Sequence, residues 1–337
     1  MRNAVSNISD YIVYVALRIV ICIVQLMPLE RCERGCSLLA IVLHRWVGLR
    51  NDLVLENLHR VFPDWTPHQA HQTTGAMWKH LFLMICEIAH APKKIRRTNW
   101  YEHFLFSDQK LILKTLFDAR AKIVVTGHFG NFEMAGYVSG LFGLPSTTLA
   151  RPLDNVYVHN YITRFRSLGG QHFLSKDGVA PEIQRLLEGG GTLGLLADQN
   201  AGNRGCWVKF LGHPTSCHKA LALFTLSNQA PMMVCYNRRM DQPLRFEMVV
   251  TGVADPLVPE KHLDNVQSLT QWYNDCLELA IRKYPDQYWW IHRRWRQPPS
   301  RLKRASERMN PDSQKIEASA SSIDDETATN ESQERAA

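Results

Sequence analysis

The chain has 337 residues, of which 45% are hydrophobic and 21% charged, an ordinary globular composition with enough apolar material for a sizeable core. The formal net charge of +7 points to an anionic partner, whether a phospholipid surface, a nucleic acid, a phosphorylated substrate or an acidic carrier protein, without choosing among them. The eight cysteines are scattered with no Cys-x-x-Cys spacing, which argues against a structural zinc site and a disulfide-stapled secreted fold and indicates a reducing compartment.

The first element is strongly apolar, from Ile12 to Met27, interrupted by Arg18 and Gln25 and ended by Pro28. No small-residue cleavage site follows it, so the reading is a retained membrane-associated helix, either spanning or lying on the bilayer. Arg18 near its middle is expensive in hydrocarbon unless it snorkels or pairs. Helical patterns follow from Pro28 to Gly48, from Asp52 to Val61, and from a Thr66 cap to about His90. A connecting region holds Trp100 to Phe106. Helices and strands then alternate. Helix 108–120 precedes strand 122–126, helix 132–141 strand 146–150, helix 155–168 strand 171–174, and helix 179–188 strand 192–197. A strand over 207–210, a helix over 217–228, strands over 232–237 and 244–250, and a last helix over 266–283 complete the pattern. This alternation predicts an α/β fold, a mixed sheet flanked by helices on both faces. Polar residues dominate from about Ser300, as in a disordered tail. The expected organisation is therefore an N-terminal membrane-associated helix over 1–30, a catalytic domain over 31–299 and a polar tail over 300–337.

The most informative stretch runs from Ala121 to Gly136. The β-branched run Ile123–Thr126 reads as a buried strand, Gly127 and Gly130 bracket His128 in a tight turn, and Asn131 is placed to cap a helix that carries Glu133 in its first turn. A strand-turn-helix corner would let the carboxylate reach back to the imidazole, fix its tautomer and leave the other ring nitrogen as a proton acceptor. The implied chemistry is deprotonation of a hydroxyl or amine that attacks an activated acyl group. Arg151 and Asp198 also fall just past strand ends, where ligand groups of α/β sheets gather. Arg151, Arg164 and Arg166 offer forks that match phosphate geometry, and Asp198 is a candidate to orient a side chain or an acceptor sugar. The segment Tyr288–Pro299 interleaves aromatics with arginines, which suits membrane interfaces and also single strands of nucleic acid. No nucleic-acid-binding motif supports the polymer. There is no Gly-x-Ser-x-Gly elbow, P-loop, dinucleotide fingerprint or His-Glu-x-x-His, so neither a cofactor nor a metal is expected.

Several ordered blocks resemble the bacterial lipid A biosynthesis (lauroyl/myristoyl) acyltransferases of the lysophospholipid acyltransferase superfamily. They are Asn57-Leu58 with Phe62-Pro63, His128-Phe-Gly-Asn-Phe-Glu133 with Gly136, Arg151-Pro152 with Asn155, Thr163-Arg-Phe-Arg166, Asp198-Gln199, and Asp286 to Trp295. The resemblance spans about Leu49 to Pro298. It implies a glycerolipid acyltransferase-like fold and acyl transfer from a carrier thioester, acyl carrier protein or acyl-CoA, to a hydroxyl of an anionic lipid A precursor or related glycolipid at the cytoplasmic face of the inner membrane. It implies His128 as general base with Glu133 as its partner, and Arg151 and the block Thr163–Arg166 near the anionic acceptor. Two positions depart from the family pattern. Asn200 stands where an acidic residue is usual, and the run from Arg294 to Pro299 is altered. Acylation of a lysophospholipid or another glycolipid, and a non-catalytic membrane- or carrier-binding protein, are the alternative readings.

Overall fold

The computed structural model describes residues 4–150, 152–168, 170–175 and 179–296. Met1–Arg294 cluster as one compact unit, and of the second, Trp295–Ala337, only residues 295–296 are described. The tail expected over 300–337 lies outside the described residues.

Four helices open the chain: α1 (Ala4–Leu26), α2 (Leu29–Ile41), which runs on into a π-helical turn (Val42–Val47), α3 (Asn51–Val61) and α4 (Pro67–Lys94). Thr66 caps α4 as read from the sequence. Its hydroxyl accepts from the Gln69 N–H at 3.3 Å, the Gln69 side chain accepts from the Thr66 N–H at 2.8 Å, and Pro67 fills the first helical position, where no donor is needed. The connecting region hides a short strand, β1 (Phe104–Phe106). Then come α5 (Gln109–Leu116), β2 (Lys122–Thr126), α6 (Phe132–Leu141), β3 (Ser146–Ala150), α7 (Val156–Leu168), β4 (Gln171–Ser175), α8 (Ala180–Glu188) and β5 (Thr192–Leu196). An antiparallel hairpin, β6 (Cys206–Phe210) with β7 (His213–Cys217), follows, and α9 (Ala220–Ser227), β8 (Met232–Arg239), β9 (Phe246–Ala254) and α10 (Val266–Lys283) close the unit. The helix expected from Cys217 begins three residues later, because Cys217 is the last rung of β7, paired with Cys206.

The seven-stranded sheet has the order β1-β9-β8-β2-β5-β3-β4. β8, β2, β5, β3 and β4 are parallel, and β9 and β1 run against them, so the sheet is mixed. From β2 the chain steps outward through α6 to β3 and through α7 to β4. It then steps back through α8 to β5 and through α9 to β8. Right-handed crossovers place α6 and α7 on one face and α8 and α9 on the other. The connections leave the neighbouring strands β2 and β5 toward opposite faces, and a crevice opens there at their carboxyl ends.

The corner after β2 is set by backbone geometry. Gly130 has φ +57°, and a Cβ there would lie 1.9 Å from the Asn237 carbonyl oxygen. Its N–H donates to the Gln287 carbonyl at 2.9 Å and the Asn131 N–H to the Asn237 carbonyl at 3.1 Å. Asn131 does not cap α6 as expected. Its side chain points into the interior and donates to Glu87 Oε2 at 2.9 Å. Glu87, fully buried on α4, accepts two further bonds from the Arg239 guanidinium at 2.6 and 2.7 Å. Arg239 Nη1 lies 2.6 Å from His80 Nδ1, and His80 Nε2 lies 3.2 Å from the Gly130 carbonyl. Burial, reinforced by the Arg239 charge, holds His80 well below the usual histidine pKa. It is therefore neutral, accepting from Arg239 and donating to Gly130. Removing one partner of such a buried pair strands the other charge. Glu87→Gln is expected to destabilise the protein by about 3–5 kcal/mol in urea unfolding. A loss of less than about 1 kcal/mol would show that the network does not support the corner.

Candidate active site

The parallel register pairs Thr126 of β2 with Leu196 of β5, so His128 and Asp198 stand side by side, two residues beyond that pair. Asp198 grips His128 twice. Its Oδ1 is 2.8 Å from His128 Nδ1, and its Oδ2 accepts the His128 backbone N–H at 2.9 Å. A Cβ at Gly127 would sit 3.1–3.3 Å from Asp198 Cγ, Cβ and Oδ2, a close contact that glycine avoids. Burial alone pushes the Asp198 carboxyl up, but the imidazole beside it and the two bonds from His128 outweigh that and hold it down at about 2. An ionised carboxylate only accepts, so Nδ1 carries the ring proton and Nε2 presents its lone pair.

One side chain meets that lone pair. The Gln199 amide nitrogen is 3.3 Å from His128 Nε2 and 3.0 Å from His292 Nε2, so one amide bridges both rings. Burial, then the neighbouring His128, lowers His292 to about 4, and it stays neutral at pH 7. The ring of His128 is walled by Phe132 at 5.3 Å and by Trp289 and His292 at 5.2 Å each. The C-terminal segment is tied over the site by its backbone. The Trp289 N–H donates to the His128 carbonyl at 3.1 Å, and Asn57 Nδ2 on α3 donates to the carbonyls of Trp290 and His292 at 2.7 and 2.9 Å. Arg294, 2% exposed, is consumed structurally and stacks over Phe210 at 4.8 Å while donating to Ser216 O at 2.8 Å.

Glu133 does not touch the imidazole, which corrects the expected contact. In the first turn of α6 it faces α7, where both of its oxygens accept from Arg166, Nε donating at 2.9 Å and Nη2 to the second oxygen. The Arg166 guanidinium also lies over the Phe173 ring at 4.7 Å. Placement in the first turn of α6 points Glu133 at α7, whereas strand pairing brings Asp198 to His128 from seventy residues away. Arg164 is exposed on α7, away from the ion pair. Arg151 lies outside the described residues. The Gly130 N–H, close to the imidazole, is committed to the Gln287 carbonyl and does not face the site. Sequence reasoning missed Gln199 and His292 as members of the site. Their only signal was membership in the blocks that begin at Asp198 and Asp286.

A cavity of about 310 Å³ runs under α6 along the adjoining sheet face. Glu133 and Arg166 line it, and Phe132, which touches the His128 ring, forms part of its wall. Its floor is built from alternate residues of β2 and β5: Lys122, Val124 and Thr126 beside Thr192, Gly194 and Leu196. This explains why Ile123 and Val125 are fully buried while Val124 and Thr126 are only half-buried. Four residue steps make the floor about 13 Å long. The lining is mainly apolar, the character of a pocket for an aliphatic ligand. Among the described residues no group of three or more His, Cys, Asp or Glu side chains is placed to hold a metal ion.

A model of the family described as bacterial lipid A biosynthesis acyltransferase matches residues 3–297. The chain is 23% identical over 257 residues to a lipid A biosynthesis palmitoleoyltransferase of Escherichia coli (strain K12), covering 74% of this chain and 80% of that relative. A lipid A biosynthesis acyltransferase of Shigella flexneri matches to the same extent, 23% over 257 residues. Among solved structures, the 1-acyl-sn-glycerophosphate acyltransferase PlsC of Thermotoga maritima aligns over 79% of this chain and 100% of its own, with TM-score 0.37 and 10% identity.

The Asp198 pKa has a consequence for stability. Its folded value, about 2, lies below the ordinary 3.8, so the stabilisation is complete above pH 4 and is lost as pH falls toward 2. Wild type should lose about 2 kcal/mol more across that window than Asp198→Asn, measured by urea unfolding at each pH. Identical acid slopes in the two proteins would remove the ionised clamp from the account.

Proposed function

Because the chain belongs to the bacterial lipid A biosynthesis acyltransferase family, and so is an acyltransferase, we propose that it moves a fatty acyl group from a carrier thioester to a hydroxyl of a lipid A precursor or related anionic glycolipid, working at the cytoplasmic face of the inner membrane. The donor is acyl carrier protein or coenzyme A. The observation that carries this reading is an imidazole held by Asp198 at Nδ1, with Nε2 met by the Gln199 amide and the ring against Phe132, a wall residue of the mainly apolar cavity.

In this reading the acceptor hydroxyl displaces the Gln199 amide from His128 Nε2 and gives that nitrogen its proton as the oxygen attacks the thioester carbonyl. Asp198 stays ionised, holds the tautomer and stabilises the imidazolium that forms. When the tetrahedral intermediate collapses, the C–S bond breaks and the Nε2 proton passes to the departing thiolate, so the base is regenerated with no covalent enzyme intermediate. The first amides of α6, at Phe132 and Glu133, belong to the N-terminal turn that lacks intrahelical acceptors, and they are the donors proposed for the oxyanion. The Glu133–Arg166 pair is assigned to shaping the cavity rather than to proton transfer. The acyl chain is assigned to the cavity beneath α6.

Two experiments test these assignments. His128→Ala should lower acyl transfer by about 10³-fold or more while leaving folding and membrane attachment unchanged, assayed with labelled acyl carrier protein or acyl-CoA and a lipid A precursor. Near-normal turnover would end the proposal. Gly194 sits mid-floor with room for a small side chain, since a Cβ there meets only Thr148 Oγ1 at 3.5 Å and Thr147 O at 3.9 Å. Gly194→Val should shift the transferred chain toward shorter lengths in mass spectra of lipids from complemented deletion cells. An unchanged length distribution would place the chain elsewhere.

A further inference from the structure

Helix α1 is long and apolar enough to cross a bilayer, over Asn7–Leu26, and none of that span is fully buried, yet one side of it contacts the body of the protein, α7 near its start and α4 near its end. Its half-buried residues include Asp10, Tyr14, Leu17, Ile21 and Val24. Steps of three and four make them a single stripe about 21 Å long. Near its start the stripe meets α7. The Asp10 carbonyl accepts from Asn155 Nδ2 at 2.8 Å, and Tyr11 stands edge-on to Tyr157 at 5.3 Å. Arg18, the charge that makes a span expensive, lies over the Tyr161 ring at 4.8 Å and donates to the Tyr14 hydroxyl at 3.2 Å. Near its end the stripe meets α4. Gln25 Nε2 donates to the Ala89 carbonyl at 2.7 Å, and Val24 and Met27 pack on Cys32, Cys36, Leu83 and Cys86.

A helix standing across the hydrocarbon would have to take these partners with it. The start of α7 and the end of α4 would enter the bilayer together with exposed Asn160, Arg164, Lys93 and Lys94, where polar groups lack water. The other side of α1 has the opposite character. Ile8, Ile12, Val15, Ile19, Ile23 and Leu26 form a second stripe, 37–83% exposed. The apolar surface continues beyond the Pro28 turn. On α2 and its π-helical extension Leu38, Leu39, Ile41, Val42, Trp46 and Val47 are 49–83% exposed, Trp46 the most. Exposed Arg31, Arg34 and Arg50 flank this run and exposed Arg45 lies within it, which gives the apolar strip cationic neighbours.

We propose that α1 lies in the plane of the bilayer and that the protein is monotopic, with residues 38–47 as a second point of insertion. The occupant of both apolar surfaces is an anionic phospholipid bilayer. The inference rests on the membrane association proposed above and decides its geometry. It also sets α7, whose Arg166 lines the cavity, at the lipid boundary, so an acceptor anchored in the leaflet reaches the site without leaving it.

The test uses the full chain with exposed Cys22 replaced by serine. Asn7→Cys and, on the body, Lys114→Cys are each labelled with a membrane-impermeant maleimide in right-side-out and inverted vesicles, against the parent as baseline. Labelling of both positions from the same side is expected, and labelling of position 7 only from the side opposite to position 114 overturns the in-plane helix. In parallel, Leu39→Asp with Val47→Asp should weaken co-sedimentation with phosphatidylethanolamine–phosphatidylglycerol vesicles at least tenfold, with an unchanged melting curve. Unchanged binding overturns the second insertion point, as does a change in oligomeric state alone, which would make the strip a contact between copies of the chain. Failure of the parent to bind vesicles at all removes the membrane reading itself, an outcome distinct from opposite-side labelling.

Discussion

One carboxylate organises this molecule. Asp198 is fully buried at the crevice between β2 and β5, where an isolated charge is untenable, and it persists because His128 gives it both a backbone and a ring N–H. The same two bonds set the position of the turn and the tautomer of the ring. A neutral side chain at 198 would keep the turn but leave the imidazole without a partner that must accept. Geometry and chemistry at the site are therefore one constraint, satisfied where connections leaving neighbouring strands toward opposite faces leave room for it.

That clamp holds only if the turn around it holds, and the turn is buttressed from behind by charge. Glu87 on α4 neutralises Arg239 at the end of β8, and the pair together satisfies Asn131, His80 and the Leu244 N–H. Such a network gains little net energy against a hydrophobic replacement. Its value here is directional, because each bond aims at one atom of the corner. The segment after α10 closes the remaining side. Gln287 bonds both the N–H and the carbonyl of Arg239, and Trp289 bonds the His128 carbonyl, so the end of the folded unit is part of the site wall.

The apolar surfaces divide the work differently. Beneath α6 they enclose a cavity, while along α1 and the end of α2 they face outward. Helix α7 joins the two regions, since Tyr157 and Tyr161 touch α1 and Arg166 reaches the cavity wall. The exposed apolar face of α1 and the cavity beneath α6 are thus linked through one helix.

Much of this was legible in the chain before any coordinates. The alternation of β-branched runs with amphipathic stretches specified a helix-flanked sheet, since periodicity is a local property of side chains. The Thr66 cap and the glycines around His128 were readable for the same reason. That His128 and Asp198 both follow strand ends was visible too. Their contact was not, because it depends on β5 returning to lie beside β2 after two outward crossovers, and strand order is decided by which faces bury best together. The same limitation made Glu133 look like the partner. It is near in sequence, but helical rotation turns it to Arg166. β1 and β7 escaped notice because a three-residue strand and a proline-containing one carry almost no period of their own. The sequence alone determined most of the elements, the candidate histidine and the apolar N-terminus. Tertiary packing decided which acid meets His128 and that a helix long enough to span has one side against the protein, because both depend on contacts between segments that nothing along the chain places together.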